Sequence, residues 1–264
     1  MGSFSSVRSL ERGLKILEAL NRCHGTKAQQ LATMVDLPRP TVYRLLETMQ
    51  NLGYVTRSKT DDSWNLTAQV KSLSSGFHDD VWVTRVAAPV LHGLGREVLW
   101  PVDLVTFEND AMIIRESTHA ESPFSIDRGM AGTHLPILKT SGGRAYLAFC
   151  PAAERDAILD RLRHSDKADD CLARDAQFMH RLLADTKQAG YGFRTDGFNP
   201  HTASISVPIL VNGRVLACIT MIWIASALTF SEAVERYLAS LQRATAQIEA
   251  QLTGPSVTAD GSSR

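Results

Sequence analysis

The sequence predicts a two-domain α+β protein, and three observations carry that reading. Gly25 to Leu66 reads as a helix, a tight turn, a second helix and a short β-hairpin, the order of a winged helix-turn-helix. From Val102 onward the chain reads as strands, then helices, then a strand pair and a last helix, which indicates an antiparallel sheet with flanking helices. The charge is divided between the two parts. The 264 residues have a formal net charge of zero, yet residues 1–60 hold nine Lys or Arg against four Asp or Glu, and the remainder 19 against 24. A basic head on an acidic body is expected of a DNA-binding module joined to something else.

The second helix of the head is the most informative. Val42, Leu45, Leu46, Met49 and Leu52 form one apolar stripe, while Pro40, Arg44, Glu47 and Asn51 project from the opposite side. Pro38 and Pro40 fix its first turn and Gly53 supplies its end. Its start carries Arg39, Thr41, Tyr43 and Arg44, where a recognition helix presents side chains to base edges in the major groove. In the preceding helix Ala28, Leu31, Ala32 and Val35 make the apolar face, and Thr26 with Gln29 has the spacing of a capping box. Asp36-Leu37-Pro38 is a corner of the right length. Tyr54 to Ser58 and Trp64 to Leu66 read as the wing strands, with Arg57 and Lys59 placed to meet phosphate. The same residues also fit a three-helix domain with a solvated charged face; agreement of periodicity, turn and wing in one order favours the DNA reader.

Upstream, Ser9 to Cys23 reads as a helix with Leu10, Leu14, Leu17 and Leu20 on one face, and Arg8 and Arg12 at its start either reach phosphate or are simply solvated. Residues 67–79 read as a linker helix with a narrow stripe of Val70, Leu73 and Phe77. Asp79 to Val98 reads as a longer helix interrupted by Pro89. Val102 to Phe107 and Ala111 to Glu116 form a hairpin, and a helix is expected from Arg144 to Cys150. Ala152 to Leu162 and Phe178 to Ala189 are amphipathic helices. Ser204 to Val211 and Arg214 to Trp223 are apolar strands joined at Asn212-Gly213, a strong hairpin signal, and Thr229 with Glu232 caps a final helix to Leu252. The boundaries are therefore 8–66 for the head, 67–79 for the linker and 80–252 for the second domain, with a Ser-, Gly- and Thr-rich tail at 253–264 expected to be disordered.

Composition narrows the classes. Hydrophobic residues at 44% and charged residues at 21% describe a globular chain. Cys23, Cys150, Cys171 and Cys218 show no CxxC or Cys/His metal spacing and read as reduced thiols, so no metal or cofactor is expected. No signal peptide or bilayer-spanning run is seen, and a cytoplasmic protein without membrane contact is the expectation. No GxSxG, HExxH, Walker or GxGxxG motif occurs, which leaves an enzyme little to stand on. Saturable binding of a small molecule without turnover would separate a regulator from an enzyme.

Several stretches resemble one family. LPRPTVYRLLETMQNLGYV, then GMAGTHLPILKTSGGRAYLAF, then ASISVPIL before NGRVLACITM, are similar to the IclR family of bacterial transcriptional regulators over residues 8 to 252. The resemblance implies a winged helix-turn-helix, a C-terminal GAF-like effector-binding domain, and assembly as homodimers or dimers of dimers on pseudo-palindromic operator DNA. Contact with RNA polymerase is also implied. DDSWNLTAQVKSLSSGF, REVLWPVDL, DAMIIRESTH and IASALT look most like the MhpR-type activators of 3-(3-hydroxyphenyl)propionate catabolism, which implies a small aromatic acid as effector.

The resemblance also implies where an effector sits. The loop and helix start give Thr140, Ser141 and Gly142; the chain before the last strand pair gives Asn199; inward positions of that pair give Ser204, Ser206, Cys218, Thr220 and Ile222. The helix start at Ser141 can offer N–H groups to a carboxylate, although Gly142-Gly143 is equally a tight turn into a helix. Asn199 stands where the family often has an acid, and Thr220 and Ile222 replace a Ser-x-Ser pair, changes that favour an aromatic acid over the alternative of a small keto acid. Arg128 either pairs with the acid or is a surface arginine. His134, His119 and Trp100 either touch a ring or belong to ordinary core and surface.

Overall fold

The structure is a computed structural model that describes residues 6–23, 25–73, 80–196 and 198–253. The chain divides into two units between His78 and Asp79, with Asp127–Gly129 grouping with the first.

In the first unit α1 (Arg8–Arg22), α2 (Ala28–Met34) and α3 (Arg39–Asn51) precede a two-stranded wing of β1 (Val55–Arg57) and β2 (Trp64–Leu66). Their shared core is Ile16, Leu20, Leu31, Val42, Leu46 and Trp64 with their neighbours. The expected face of α1 is corrected: Ile16, Ala19 and Leu20 are buried, whereas Leu10 is 61% and Leu14 51% exposed. The α2 cap is also shifted by one residue. Lys27 N–H donates to Gln30 Oε1 (3.2 Å), because Thr26 is taken up in a two-way backbone bridge with Trp64. That bridge fastens the start of α2 to the wing. The linker forms a 3-10 helix over Ala68–Leu73 instead of an α-helix, and its expected continuation through Gly76 and Phe77 lies outside the described residues.

The second unit begins with a π-helical turn, Val83–Ala87, leading into α4 (Ala88–Val98), so Pro89 falls in the first turn of α4, where no N–H is needed. Six antiparallel strands then form one sheet in the order β5-β4-β3-β8-β7-β6. They are β3 (Val102–Glu108), β4 (Ala111–Ser117), β5 (His134–Pro136), β6 (Gly192–Arg194), β7 (Thr202–Val211) and β8 (Arg214–Ile224). At the β7–β8 turn Asn212 and Gly213 both have positive φ, as the tight hairpin requires. The short β5 and β6 were not anticipated. Helices α5 (Ser141–Phe149), α6 (Ala152–Arg163) and α7 (Ala176–Ala189) follow β5, and α8 (Phe230–Thr253) ends the unit. The expected capping box holds: Thr229 N–H donates to Glu232 Oε2 (3.0 Å) and Glu232 N–H to Thr229 Oγ1 (3.4 Å). Thr253 closes this helix and is no part of a tail; 254–264 lie outside the described residues. Among the described residues no helix is long and apolar enough to cross a membrane.

Strand alternation gives the sheet two unlike faces. On one, Leu104, Ile205, Val207, Ile219, Met221 and Trp223 pack with Leu91 and Leu94 of α4 and Leu241, Ala244 and Ile248 of α8 in an uninterrupted apolar core. On the other, Val105, Met112 and Cys218 pack with α5, α6 and α7, and polar residues stand among them. Helix α5 starts at Ser141, three residues earlier than its sequence pattern indicates. Weak helix formers are tolerated there because the helix must come close to its neighbours: a Cβ on Gly143 would lie 1.9 Å from the Ile137 carbonyl oxygen, and one on Gly192 2.1 Å from that of Ser141.

Gly143→Ala is therefore expected to lower the unfolding free energy by about 3 kcal/mol, at the upper end of overpacking penalties. Gly142→Ala, whose Cβ would mainly press on the Val105 Cγ2 methyl at 2.8 Å, is expected to lose less. Urea unfolding measures both, and equal losses would show that α5 docking does not depend on the Ile137 approach.

Candidate functional site

Two places carry the residues that matter. In the first unit, α1 and α3 together form a groove in which Arg8 and Arg12 come to one side and Thr41, Arg44 and Thr48 to the other. Arg39 opens α3 and sits over the Tyr43 ring, 5.7 Å from its centroid, which holds the guanidinium at the helix start. Arg8, Arg12, Arg39, Arg44 and Lys59 form no ion pair with the described residues, so the face carries uncompensated positive charge. Pro40 is exposed in the first turn of α3.

Arg57 differs from them. Its Nε donates to Asp62 across the wing at 2.5 Å, and its guanidinium lies over Trp64, 5.7 Å from the ring. The bond raises the Arg57 pKa and holds the Asp62 carboxyl below its ordinary range. The wing arginine is thus neutralised within the chain, while Lys59 at the tip is not.

In the second unit a cavity of about 530 Å³, part of it open to solvent, lies between α5 and the polar face of the sheet. It is lined by Thr140, Ser141, Gly142, Asn199, Ser204, Thr220 and Ile222, seven of the eleven residues the sequence singled out. Ser206 lies beneath, bonded to Thr220 (Oγ to Oγ1, 2.8 Å), and Cys218 is fully buried off the lining, its thiol pushed up by that burial. Ser141 Oγ donates to Ser204 Oγ at 2.8 Å. His119 lines the cavity. His134, exposed on edge strand β5, does not, and neither does Trp100, which packs on Phe124. Arg128 belongs to the stretch that groups with the first unit and is not among the residues lining the cavity.

The principal cation is one that sequence reasoning missed. Arg194 on β6 is only 4% exposed and lines the cavity. Its Nη1 donates to the carbonyls of Asn199 (3.0 Å) and Thr202 (2.6 Å), and Nη2 to Thr202 Oγ1 (2.8 Å). The Nε–H and second Nη2–H, the edge a carboxylate engages side-on, have no partner among the described residues. Burial first, and Arg144 second, lower its pKa, with Asp196 opposing. Arg144 is itself held by the carbonyls of Leu138 (3.1 Å) and Phe193 (2.8 Å). Neither arginine forms an ion pair among the described residues. Beside them Thr140 caps α5 by accepting from Gly143 N–H (3.3 Å), and the N–H groups of Ser141 and Gly142 remain unbonded at the helix start. Val105, Met112, Met130, Leu135 and Ile222 supply the apolar wall. The arrangement can hold an anion at one end and an apolar body along its length.

A winged helix-turn-helix followed by an antiparallel sheet domain is here the make-up of a DNA-binding transcriptional regulator and not of an enzyme. Residues 9–59 match the IclR helix-turn-helix domain and residues 78–250 the bacterial transcriptional regulator IclR C-terminal domain, and the chain belongs to that family. It is 28% identical over 158 residues to the HTH-type transcriptional regulator TsaQ1/TsaQ2 of Comamonas testosteroni, an alignment covering 60% of this chain and 57%, little more than half, of that protein. With the Pca regulon regulatory protein of Pseudomonas putida it shares 27% over 252 residues, 94% of this chain and 85% of the other. In fold it is similar to an IclR homologue from Microbacterium hydrocarbonoxydans complexed with 4-hydroxybenzoate, with a TM-score of 0.59 and 23% identity over 92% of this chain and 98% of that one.

If the Arg57–Asp62 bond masks the wing, Asp62→Ala should tighten non-specific DNA binding and steepen its salt dependence by about one counterion. Fluorescence anisotropy on duplex DNA across a salt series measures both, and an unchanged slope would show that Arg57 does not reach phosphate.

Proposed function

We propose that this regulator binds a small aromatic carboxylate in the cavity of its second unit and controls an operon for aromatic-acid catabolism. The observation that carries the reading is the buried Arg194, with its side-on edge unbonded, in a cavity that is otherwise largely apolar. An anion there would engage Arg194 together with the N–H groups of Ser141 and Gly142, while a ring packs on Val105, Met112 and Ile222. The complex of the Microbacterium relative with 4-hydroxybenzoate supports an aryl carboxylate. Asn199, Ser204 and Thr220 orient the ligand, Ser206 supports Thr220, and Arg128, His134 and Cys218 have no part.

On the DNA side, α3 enters the major groove with Arg39, Thr41, Tyr43 and Arg44 toward base edges, while Arg8, Arg12 and Lys59 contact phosphate. Homodimers, or dimers of dimers, place two such helices on a pseudo-palindromic operator. Effector binding then biases operator or RNA polymerase contacts by favouring one of two states.

Arg39→Ala and Arg44→Ala are each expected to weaken binding to an operator selected from random sequence by about 1–3 kcal/mol. Unchanged affinity in both would remove α3 from the groove. In a thermal-shift screen, aromatic carboxylates at one hundred times their dissociation constant should stabilise the fold by about 2.7 kcal/mol, and Arg194→Gln should abolish the response. A response to glyoxylate or pyruvate alone would replace the aromatic acid with a small keto acid.

A further inference from the structure

The cavity contains a second buried charge, which the anion site does not use. Asp103 on β3 is 3% exposed and lines the cavity, and its Oδ1 has no hydrogen-bond partner among the described residues. Oδ2 stands 3.6 Å from Nε2 of His119, whose Nδ1 is in turn 2.6 Å from Ser125 Oγ. A carboxylate oxygen buried without a partner is costly enough that native structures rarely retain one without a use.

Strand register locates Asp103 relative to Arg194. Asp103 pairs with Thr220, and Thr220 with Ser206; Ile222 pairs with Ser204, and Ser204 with Arg194. All of these residues share one face of the sheet, and β8 and β7 separate β3 from β6. Three strand spacings amount to about 14 Å. The Arg194 guanidinium leans over β7 to Thr202, two strands across from Asp103 and four residues along β7 from Ser206 in the Asp103 row, roughly 10 Å across and 13 Å along, so a separation of that order persists at the level of the cavity. It is of the order spanned by one aromatic ring with a polar group and a hydrogen bond at each end, and a two- or three-carbon acid does not bridge it.

From this geometry we infer that Asp103 is a specificity-determining residue which accepts a hydrogen bond from a hydroxyl on the effector ring, at the end away from the carboxylate held by Arg194. The effector is a hydroxyaryl carboxylate. The inference rests on the carboxylate reading above. A hydroxyl is favoured over an ammonium because Oδ1 is a single unpartnered acceptor, closely enclosed beside His119, with Met112 and Leu135 among the other walls. An ammonium brings three donors and would leave two unpaired there, whereas a hydroxyl brings one.

Calorimetric titration of the full-length protein with benzoate, 4-hydroxybenzoate, 4-methoxybenzoate and the matching 3-phenylpropionate, 3-(3-hydroxyphenyl)propionate and methyl ether tests it. The expected result is that, in at least one series, the hydroxylated acid binds ten or more times more tightly than both its deoxy analogue and its ether. Asp103→Ala should reduce that preference to less than threefold while the deoxy acid retains its affinity; Arg194→Gln should weaken all the acids together. Equal affinity for hydroxylated and deoxy acids in the unaltered protein would overturn the role of Asp103 and leave the carboxylate reading intact. Binding of the ether as tightly as the phenol would do the same. Binding of none of these acids would overturn both, and the comparison within the unaltered protein decides even where Asp103→Ala does not fold.

Discussion

The register of the β7–β8 hairpin is the constraint on which the second unit depends. Ten paired positions run from Thr202↔Ile224 to Val211↔Arg214, and they assign Ile205, Val207, Ile219 and Met221 to one face and Ser204, Ser206, Thr220 and Ile222 to the other. The first set closes the core with α4 and α8; the second floors the cavity beneath α5. A slip of one residue would exchange the sets, burying hydroxyls among the α8 side chains and filling the cavity with isoleucine and valine. Core and site are thus one decision, fixed by the Asn212-Gly213 turn together with the bulge between Ile209 and Leu210, which sets the register of every pair from Ile209↔Ala217 onward.

Much of this was legible in the sequence, for identifiable reasons. The helix-turn-helix, the two long hairpins and the cap of α8 rest on local signals that nothing in the fold overrides. Of the nine cavity residues that the family resemblance implied, seven line it and Ser206 and Cys218 lie behind the lining, because the alternation of Ser204 through Ser206 and of Cys218 through Ile222 survives in the strands. The failures have the opposite character. The residue pattern opens α5 only at Arg144, although the family resemblance has its start at Ser141: Ser141-Gly142-Gly143 has poor helix propensity, and the helix there is imposed by close packing on Ile137 and Val105. The three-residue strands β5 and β6 are too short for a period of two to show, and Arg194 lies on one of them. Arg194 and Asp103 look like surface charges in the sequence, and only the sheet reveals that both point into the interior. Thr26 lost its capping role because the backbone bridge to Trp64 took precedence over a side-chain signal.

The first unit distributes charge by a related rule. Its cations along the groove between α1 and α3 are left without acidic partners, whereas the wing pairs Arg57 with Asp62. Positive charge that must await an external anion is tolerable on an exposed face, where water screens it. It is less so inside the second unit, where Arg194 carries the same unmet charge with 4% of its surface exposed.

That difference bears on how the cavity would accommodate a carboxylate end and a hydrogen-bond donor end at once. Arg194 and Asp103 are opposite charges in one apolar enclosure, and direct pairing would satisfy both. The sheet prevents it by placing them three strands apart. Each is partly held, Arg194 by the carbonyls of Asn199 and Thr202 and Asp103 by the neighbouring His119, yet each retains an unbonded edge. A ligand that reaches only one end leaves the other charge buried and unmet, so its binding forgoes part of the available stabilisation. A ligand long enough to meet both removes two desolvation penalties in a single step. On the role proposed for Asp103, discrimination by length and by terminal chemistry would follow from the spacing of the strands.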